Sequence, residues 1–273
     1  MLSSTGKAIR LGRILDPEIG RGIVVAYSHS LILGPQKGTR TSEDIRSVLE
    51  ACRSANSIMV TPGMADRFAG NFAGRGRPSM MIHLDWTNFS RRTLPHSQGA
   101  QVDVASIEHV AACGADAVMT YLLVGFDDPE REAAEIRRNA RIARECDRLG
   151  IVLMIEPRYA QEQVHPELKL DPEVMQMYCR MSADLGADLV KCVWPGSVEA
   201  MAAISESCHA PVLVAGGARD DSQPDRVFEL AEAAVQGGAR GLVFGRSVYQ
   251  SPDPRATLKR LESILASAPL VGR

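Results

Sequence analysis

Eight short apolar runs, each followed by a helical segment, recur from Gly22 onward, and no other feature of the chain restricts its fold as tightly. The runs are Ile23–Tyr27, Ser57–Val60, Met80–Leu84, Ala117–Tyr121, Ile151–Ile155, 187–194, Pro211–Ala215 and Gly241–Phe244. Between and after them, amphipathic patterns predict helices over Ser42–Ser54, Met64–Phe68, Ala105–Cys113, Asp128–Leu149, Pro172–Leu185, Ser197–Ser207, Pro224–Gln236 and Pro254–Ala266. Pro129 suits the first turn of its helix, where the missing N–H costs nothing. A long polar loop separates the third run from its helix. Short apolar strands alternating with helices imply a parallel sheet buried on both faces. Eight such units in about 250 residues match a (β/α)8 TIM barrel. Gly114, Gly150, Gly186 and the Gly237–Gly238 pair fall where a left-handed residue ends a helix before the next strand. A doubly wound open sheet is the competing arrangement and needs a reversal of strand order. Eight regular units favour closure. The expectation is one barrel domain over residues 1–273, with residues 1–20 as a short lead-in carrying a small helix.

A chain of this length with 45% hydrophobic residues can bury one large α/β core. Its formal net charge of −2 gives no general attraction for nucleic acid or an anionic membrane. No apolar run approaches the ~20 residues of a membrane helix. The N-terminal segment lacks a signal-peptide core. Six widely spaced cysteines without a CxxC pair suggest reduced, buried thiols in a cytoplasmic protein. No metal site is expected: His83 and Asp85 are close in sequence, but no third ligand stands near them.

Lys191 interrupts the sixth apolar run. The chain has only five lysines, and the other four lie in polar contexts. An ammonium within a buried strand is costly unless paired. Burial favours the free amine, a nucleophile toward carbonyls. The plainer reading is a lysine at a strand end reaching solvent.

Barrel active sites lie at the C-terminal ends of the strands. Reading those positions gives Ser28 and His29, Thr61, Asp85 and Trp86, Glu156 and Arg158, Lys191 and Trp194, Gly216 and Gly217, and Gly245 and Arg246. Val214-Ala215-Gly216-Gly217 and Phe244-Gly245-Arg246 place glycine beyond the last two strands. Such loops let backbone amides approach a phosphate, which Arg246 would neutralise. Tight turns alone would also need glycine. Glu156 suits a general acid/base, or an ion pair with Arg158 or Lys191. His29 suits substrate binding, proton shuttling or a structural hydrogen bond. Asp85 is a candidate to orient Lys191 or to bind substrate hydroxyls. Trp194 and Tyr27 read as pocket wall. The charged helix from Asp128 reads as a solvated face or a subunit contact.

These segments together resemble the DhnA-type (archaeal-type) class I fructose-bisphosphate aldolase family, which includes aminodideoxyheptulosonate synthases and the autoinducer-2-pathway thiolase. Residues 186–191 are similar to the family's Schiff-base strand, and 211–217 to its phosphate loop. Residues 237–241 and 245–250 resemble its final strand and loop. Ala26-Tyr27-Ser28-His29-Ser30 resembles the family's Asp-His-Gly segment. The chain departs from the pattern at Ser28, where an acidic residue is usual, and at Glu156-Pro157-Arg158, where many members have Tyr-Pro-Arg. Trp194-Pro195-Gly196 replaces the usual Tyr-Thr-Gly. The resemblance implies a Lys191 Schiff base, a phosphorylated keto substrate and a homo-oligomer such as a decamer.

The expected function is therefore that of a lyase, a class I aldolase acting on a phosphorylated ketose or a dihydroxyacetone-phosphate-type donor. Lys191, Glu156 and His29 are expected to be catalytic. Ser28, Asp85, Trp194, Ala215, Gly216, Gly217, Gly245 and Arg246 are expected to bind substrate or phosphate. No cofactor is required. Imine-dependent acyl transfer on a phosphorylated diketone is one alternative. A non-catalytic sugar-phosphate-binding barrel is another.

Overall fold

The computed structural model describes residues 4–88, 94 and 100–268. Eight parallel strands close into a barrel: β1 (Gly22–Ala26), β2 (Ser57–Val60), β3 (Ser79–His83), β6 (Ala117–Val124), β7 (Val152–Tyr159), β8 (Leu189–Val193), β9 (Val212–Ala215) and β10 (Gly241–Phe244). They follow in chain order around the barrel, and β10 pairs with β1 to close it. The open-sheet alternative is thereby excluded. Two short antiparallel strands, β4 (Asp85–Thr87) and β5 (Gln101–Asp103), form a hairpin after β3. The polar composition of this segment predicts only a loop there. Residues 89–93 and 95–99 of that loop lie outside the described residues.

The α-helices among the described residues are α1 (Ser4–Ile14), α2 (Ser30–Leu33), α3 (Ser42–Ala51), α4 (Pro62–Phe68), α5 (Ile107–Ala112), α6 (Pro129–Leu149), α7 (Pro172–Asp184), α8 (Val198–Ser207), α9 (Arg226–Gln236), α10 (Arg246–Tyr249) and α11 (Pro254–Ser267). Their starts are chemically marked. Thr41, Thr61, Ser106, Asp128, Asp171, Ser197 and Asp253 each accept a hydrogen bond from a first-turn amide. These amides have no partner within the helix, so each cap is worth about 1 kcal/mol. Gly114, Gly150, Gly186 and Gly238 all have positive φ, as the sequence reading expects of helix terminators.

Successive strand residues face opposite sides, and this alternation sorts the core into two layers. Val25, Ile58, Ile82, Val118, Leu153, Val190 and Val214 face outward and pack under the helices. Val24, Met59, Met81, Met119, Met154, Leu189, Leu213 and Val243 face inward and fill the barrel. Ile14 and Leu15, at and just beyond the end of α1, join the inward cluster. The lead-in helix thus covers the N-terminal end of the barrel, and Gly22 lies against the Ile14 carbonyl with no room for a Cβ. Burial of each of these side chains contributes about 1.5–3 kcal/mol. The opposite end of the barrel, at the C-terminal ends of the strands, holds polar residues.

Candidate active site

The inward alternation places polar side chains directly above the apolar interior. On β7, Val152 and Met154 are followed inward by Glu156; on β8, Leu189 is followed by Lys191. On β6, Tyr121 follows Met119, and on β3, His83 follows Met81. β7 runs on to Tyr159, past its expected end at Ile155, so Glu156 and Arg158 lie within the strand. β6 likewise continues to Val124, and Tyr121 is the register partner of Glu156.

Lys191 donates a 2.6 Å hydrogen bond from Nζ to Oε2 of Glu156. Both residues are buried, at 8% and 3% exposure. The ion pair expected as the plainer role of Glu156 is therefore present, and it points the carboxylate at the candidate nucleophile. Arg158 approaches the other oxygen, Oε1, at 3.4 Å, and itself pairs with Glu162 at 2.6 Å. Burial alone would raise the pKa of Glu156. The charges of Lys191 and Arg158 outweigh it and hold the carboxyl below its ordinary range. Glu156 is an anion at neutral pH.

A cavity of about 450 Å³ opens over this pair. Its wall includes His29, Tyr121, Trp194, Ala215, Gly217 and Arg246, along with Lys191, Glu156, Gly216 and Gly245. Burial, reinforced by the charges of Lys191 and Arg246, lowers the pKa of His29 to about 3, so the imidazole is neutral. Burial and the Glu156 charge push the Tyr121 phenol well above its usual pKa and keep it protonated. The site therefore holds an anionic carboxylate beside Lys191, with a neutral imidazole and a protonated phenol in the same wall.

Arg158, Arg219, Arg226 and Arg246 give the wall a cationic character. Three buried polar atoms along it, His29 Nδ1, Arg246 Nε and Ser247 Oγ, lack hydrogen-bond partners among the described residues. Buried polar groups are nearly always paired, so this cluster suits an oxygen-rich anion. The glycines have a more local explanation. A Cβ on Gly216 would come within 2.6 Å of Phe244, and one on Gly245 would strike the Ala26 carbonyl oxygen and the His29 ring. Gly217 has a φ of +69° and open space around it. Close packing requires the first two; the turn favours the third.

Two residues expected to bind substrate lie outside this wall. Ser28 is buried and shares a 2.8 Å hydrogen bond with Nδ1 of His83. Asp85 is fully buried at the start of the β4–β5 hairpin. Its Oδ2 accepts from Thr120 Oγ1 at 2.8 Å, from the Tyr121 amide at 2.9 Å, from Arg138 at 2.8 Å and from Gln101. Its Oδ1 lies 3.3 Å from His83 Nε2. Burial opposes ionisation of Asp85, but the contacts with His83 and Arg138 prevail and lower its pKa to about 2. Oδ2 is thus engaged in this network, and among the described residues Asp85 neither touches Lys191 nor belongs to the cavity wall. Arg138 is an exception on the charged helix: α6 turns it inward, where it pairs with Asp85, Asp103 and Glu135.

Sequence reasoning missed Tyr121 and His83 as members of the polar layer. Tyr121 closes an apolar run and reads as core. The available signal was its two-residue spacing from Met119, which puts it on the inward face.

Comparison with known proteins agrees with this architecture. The profile of the DeoC/LacD family aldolases matches residues 25–251. An uncharacterized aldolase of Saccharolobus solfataricus is 26% identical over 261 residues, covering 95% of this chain and 94% of its own. A 2-amino-4,5-dihydroxy-6-oxo-7-(phosphonooxy)heptanoate synthase of Streptomyces griseus is 30% identical over 263 residues, covering 95% and 90%. Among solved structures, an archaeal fructose 1,6-bisphosphate aldolase superposes with a TM-score of 0.79 at 22% identity, covering 95% of this chain and 98% of its own. No helix of the described residues is long and apolar enough to cross a membrane. The family resemblance and the closed barrel expected from the sequence are both borne out, and the chain belongs to the DeoC/LacD family aldolases.

Proposed function

We propose that this protein is a class I aldolase, a lyase that makes or cleaves a carbon–carbon bond of a phosphorylated ketose or a dihydroxyacetone-phosphate-type donor. The observation that carries the reading is the buried 2.6 Å pair of Lys191 and Glu156 in the wall of a cavity that also presents Arg246. Glu156 takes a proton from the ammonium and frees the amine. The amine attacks the donor ketone, and the resulting carbinolamine loses water with a proton returned by the acid/base group. The iminium so formed withdraws electrons from the adjacent carbon. In cleavage, Glu156 takes the proton of the substrate hydroxyl as the aldehyde departs, leaving an enamine whose carbon then receives that proton to regenerate the iminium; in synthesis, Glu156 removes the proton from the adjacent carbon, the enamine attacks an aldehyde, and the new alkoxide takes that proton back. Water then hydrolyses the imine and restores Lys191. His29 assists from the same wall. Arg246, with the backbone of Ala215, Gly216, Gly217 and Gly245, holds the phosphate, and Trp194 forms a side of the pocket.

The relative from Streptomyces griseus bears the name of a synthase whose product carries a ketone and a phosphate, in keeping with such a donor. The site as read uses no metal or organic cofactor. The six free thiols suit a cytoplasmic setting, and a homo-oligomer completes the proposal. Assaying carbon–carbon cleavage and synthesis across phosphorylated ketoses tests it. Turnover of one of them, abolished in Lys191→Ala, is expected; turnover retained in that variant contradicts it.

A further inference from the structure

Away from the cavity, three side chains of different chemistry converge on the outer wall. Asp66 belongs to α4; His109 and Cys113 stand four residues apart, in α5 and at its C-cap, and so share one helix face. Their ligating atoms all lie within 4.8 Å of one another. Cys113 Sγ is 3.3 Å from His109 Nε2 and 3.9 Å from Asp66 Oδ1. A tetrahedral zinc ion bound by one sulfur, one nitrogen and one oxygen sets its ligand atoms about 3.4–3.6 Å apart, given the usual bond lengths. The two Sγ distances bracket those spacings, and Asp66 and His109 are exposed side chains.

Cys113 is also unlike the other five cysteines, which are buried, whereas it is partly exposed beside a histidine and a carboxylate. We propose that Asp66, His109 and Cys113 bind one divalent cation of the zinc class, clasping α4 to α5. The mixed thiolate, imidazole and carboxylate set favours a borderline-soft ion over magnesium or calcium. Binding replaces the thiol proton with a metal–sulfur bond and releases that proton to solvent. A fourth position remains for water. Cys113 lies just before β6 begins, at the N-terminal end of the barrel, where residues serve stability rather than chemistry. The sequence gives little hint of the site, because Asp66 is far from His109 along the chain.

Titration of the full-length protein with cobalt(II) tests the proposal. The expected result is a near-ultraviolet thiolate-to-cobalt band that saturates at one ion per chain and is displaced by zinc. Cys113→Ser removes the band, and His109→Ala weakens cobalt binding at least tenfold. Both variants should retain the far-ultraviolet circular dichroism of the parent. Absence of a saturable band in the parent, or a band unchanged in Cys113→Ser, overturns the assignment. Because none of the three residues lines the cavity, these outcomes are independent of the aldolase reading.

Discussion

Lys191 and Glu156, 35 residues apart in the chain, close a 2.6 Å ion pair across adjacent strands at the mouth of the barrel. Each explains the other's burial. The ammonium would be costly without a carboxylate, and the carboxylate would be costly without a cation. A purely structural pair would not need an open cavity above it. Here the pair faces that cavity, alongside Tyr121, His29 and Arg246.

Glu156→Gln is expected to lower kcat by about 10²- to 10⁴-fold, the usual contribution of a positioned acid/base, with a much smaller change in KM. Glu156→Ala adds a stability loss of about 3–5 kcal/mol, because the Lys191 ammonium is left buried and unpaired. Steady-state kinetics and urea unfolding measure the two effects. An unimpaired kcat in the glutamine variant would remove Glu156 from the mechanism.

His29 makes stability depend on pH. Its pKa is about 3 in the folded protein, against an ordinary 6.5, so the unfolded chain binds the proton more tightly. Its contribution is complete above pH ~6.5 and is lost as pH falls toward ~3, with a slope of up to ~1.4 kcal/mol per pH unit. Replacing it in His29→Gln should flatten the unfolding free energy across that window. An identical pH slope in parent and variant contradicts the burial of a neutral imidazole.

Arg246→Ala should raise KM for a phosphorylated donor at least tenfold, reflecting the loss of a charged hydrogen bond worth about 1.5–3 kcal/mol. The same donor lacking its phosphate should react equally poorly with parent and variant. Arg246→Lys restores only part of the affinity, since a point charge cannot reproduce the guanidinium fork. Equal losses with both donors would place the arginine's role elsewhere.

Asp85→Asn tests the network behind the site. Removing a charge from a buried ion-pair network costs about 3–5 kcal/mol. The change is predicted to appear as lower stability in urea, with little change in KM, because Asp85 lies outside the cavity wall. Its pKa of about 2 is depressed from the ordinary 3.8, so the stability it confers is present above pH ~3.8 and is lost as pH falls through ~2. A selective rise in KM would instead make Asp85 a substrate ligand.

The barrel was legible because its parallel strands are buried on both faces and read as unbroken apolar runs. Lys191 stood out for the same reason: it breaks one of those runs. The strand ends were less legible. β7 carries Glu156, Pro157 and Arg158 beyond its apolar run, and pairing with the equally extended β6 keeps those residues in the sheet. The network around Asp85 was not legible, because its partner Arg138 lies 53 residues away on α6. Nothing local distinguishes Arg138 from the solvated charges around it. The roles of Gly216 and Gly245 depend on Phe244 and Ala26, the first on the neighbouring strand and the second across the seam that closes the barrel.

The proposed reaction rests on an imine between Lys191 and a phosphorylated ketone. Sodium borohydride reduction in the presence of such a donor, followed by peptide mass spectrometry, measures it most directly. A covalent adduct is expected on the peptide that contains Lys191, heavier by the donor's mass less one oxygen, since imine formation expels water and reduction adds two hydrogens. No adduct is expected in Lys191→Ala. A donor that turns over without a trapped adduct, or one trapped on a different lysine, would contradict the Lys191 imine.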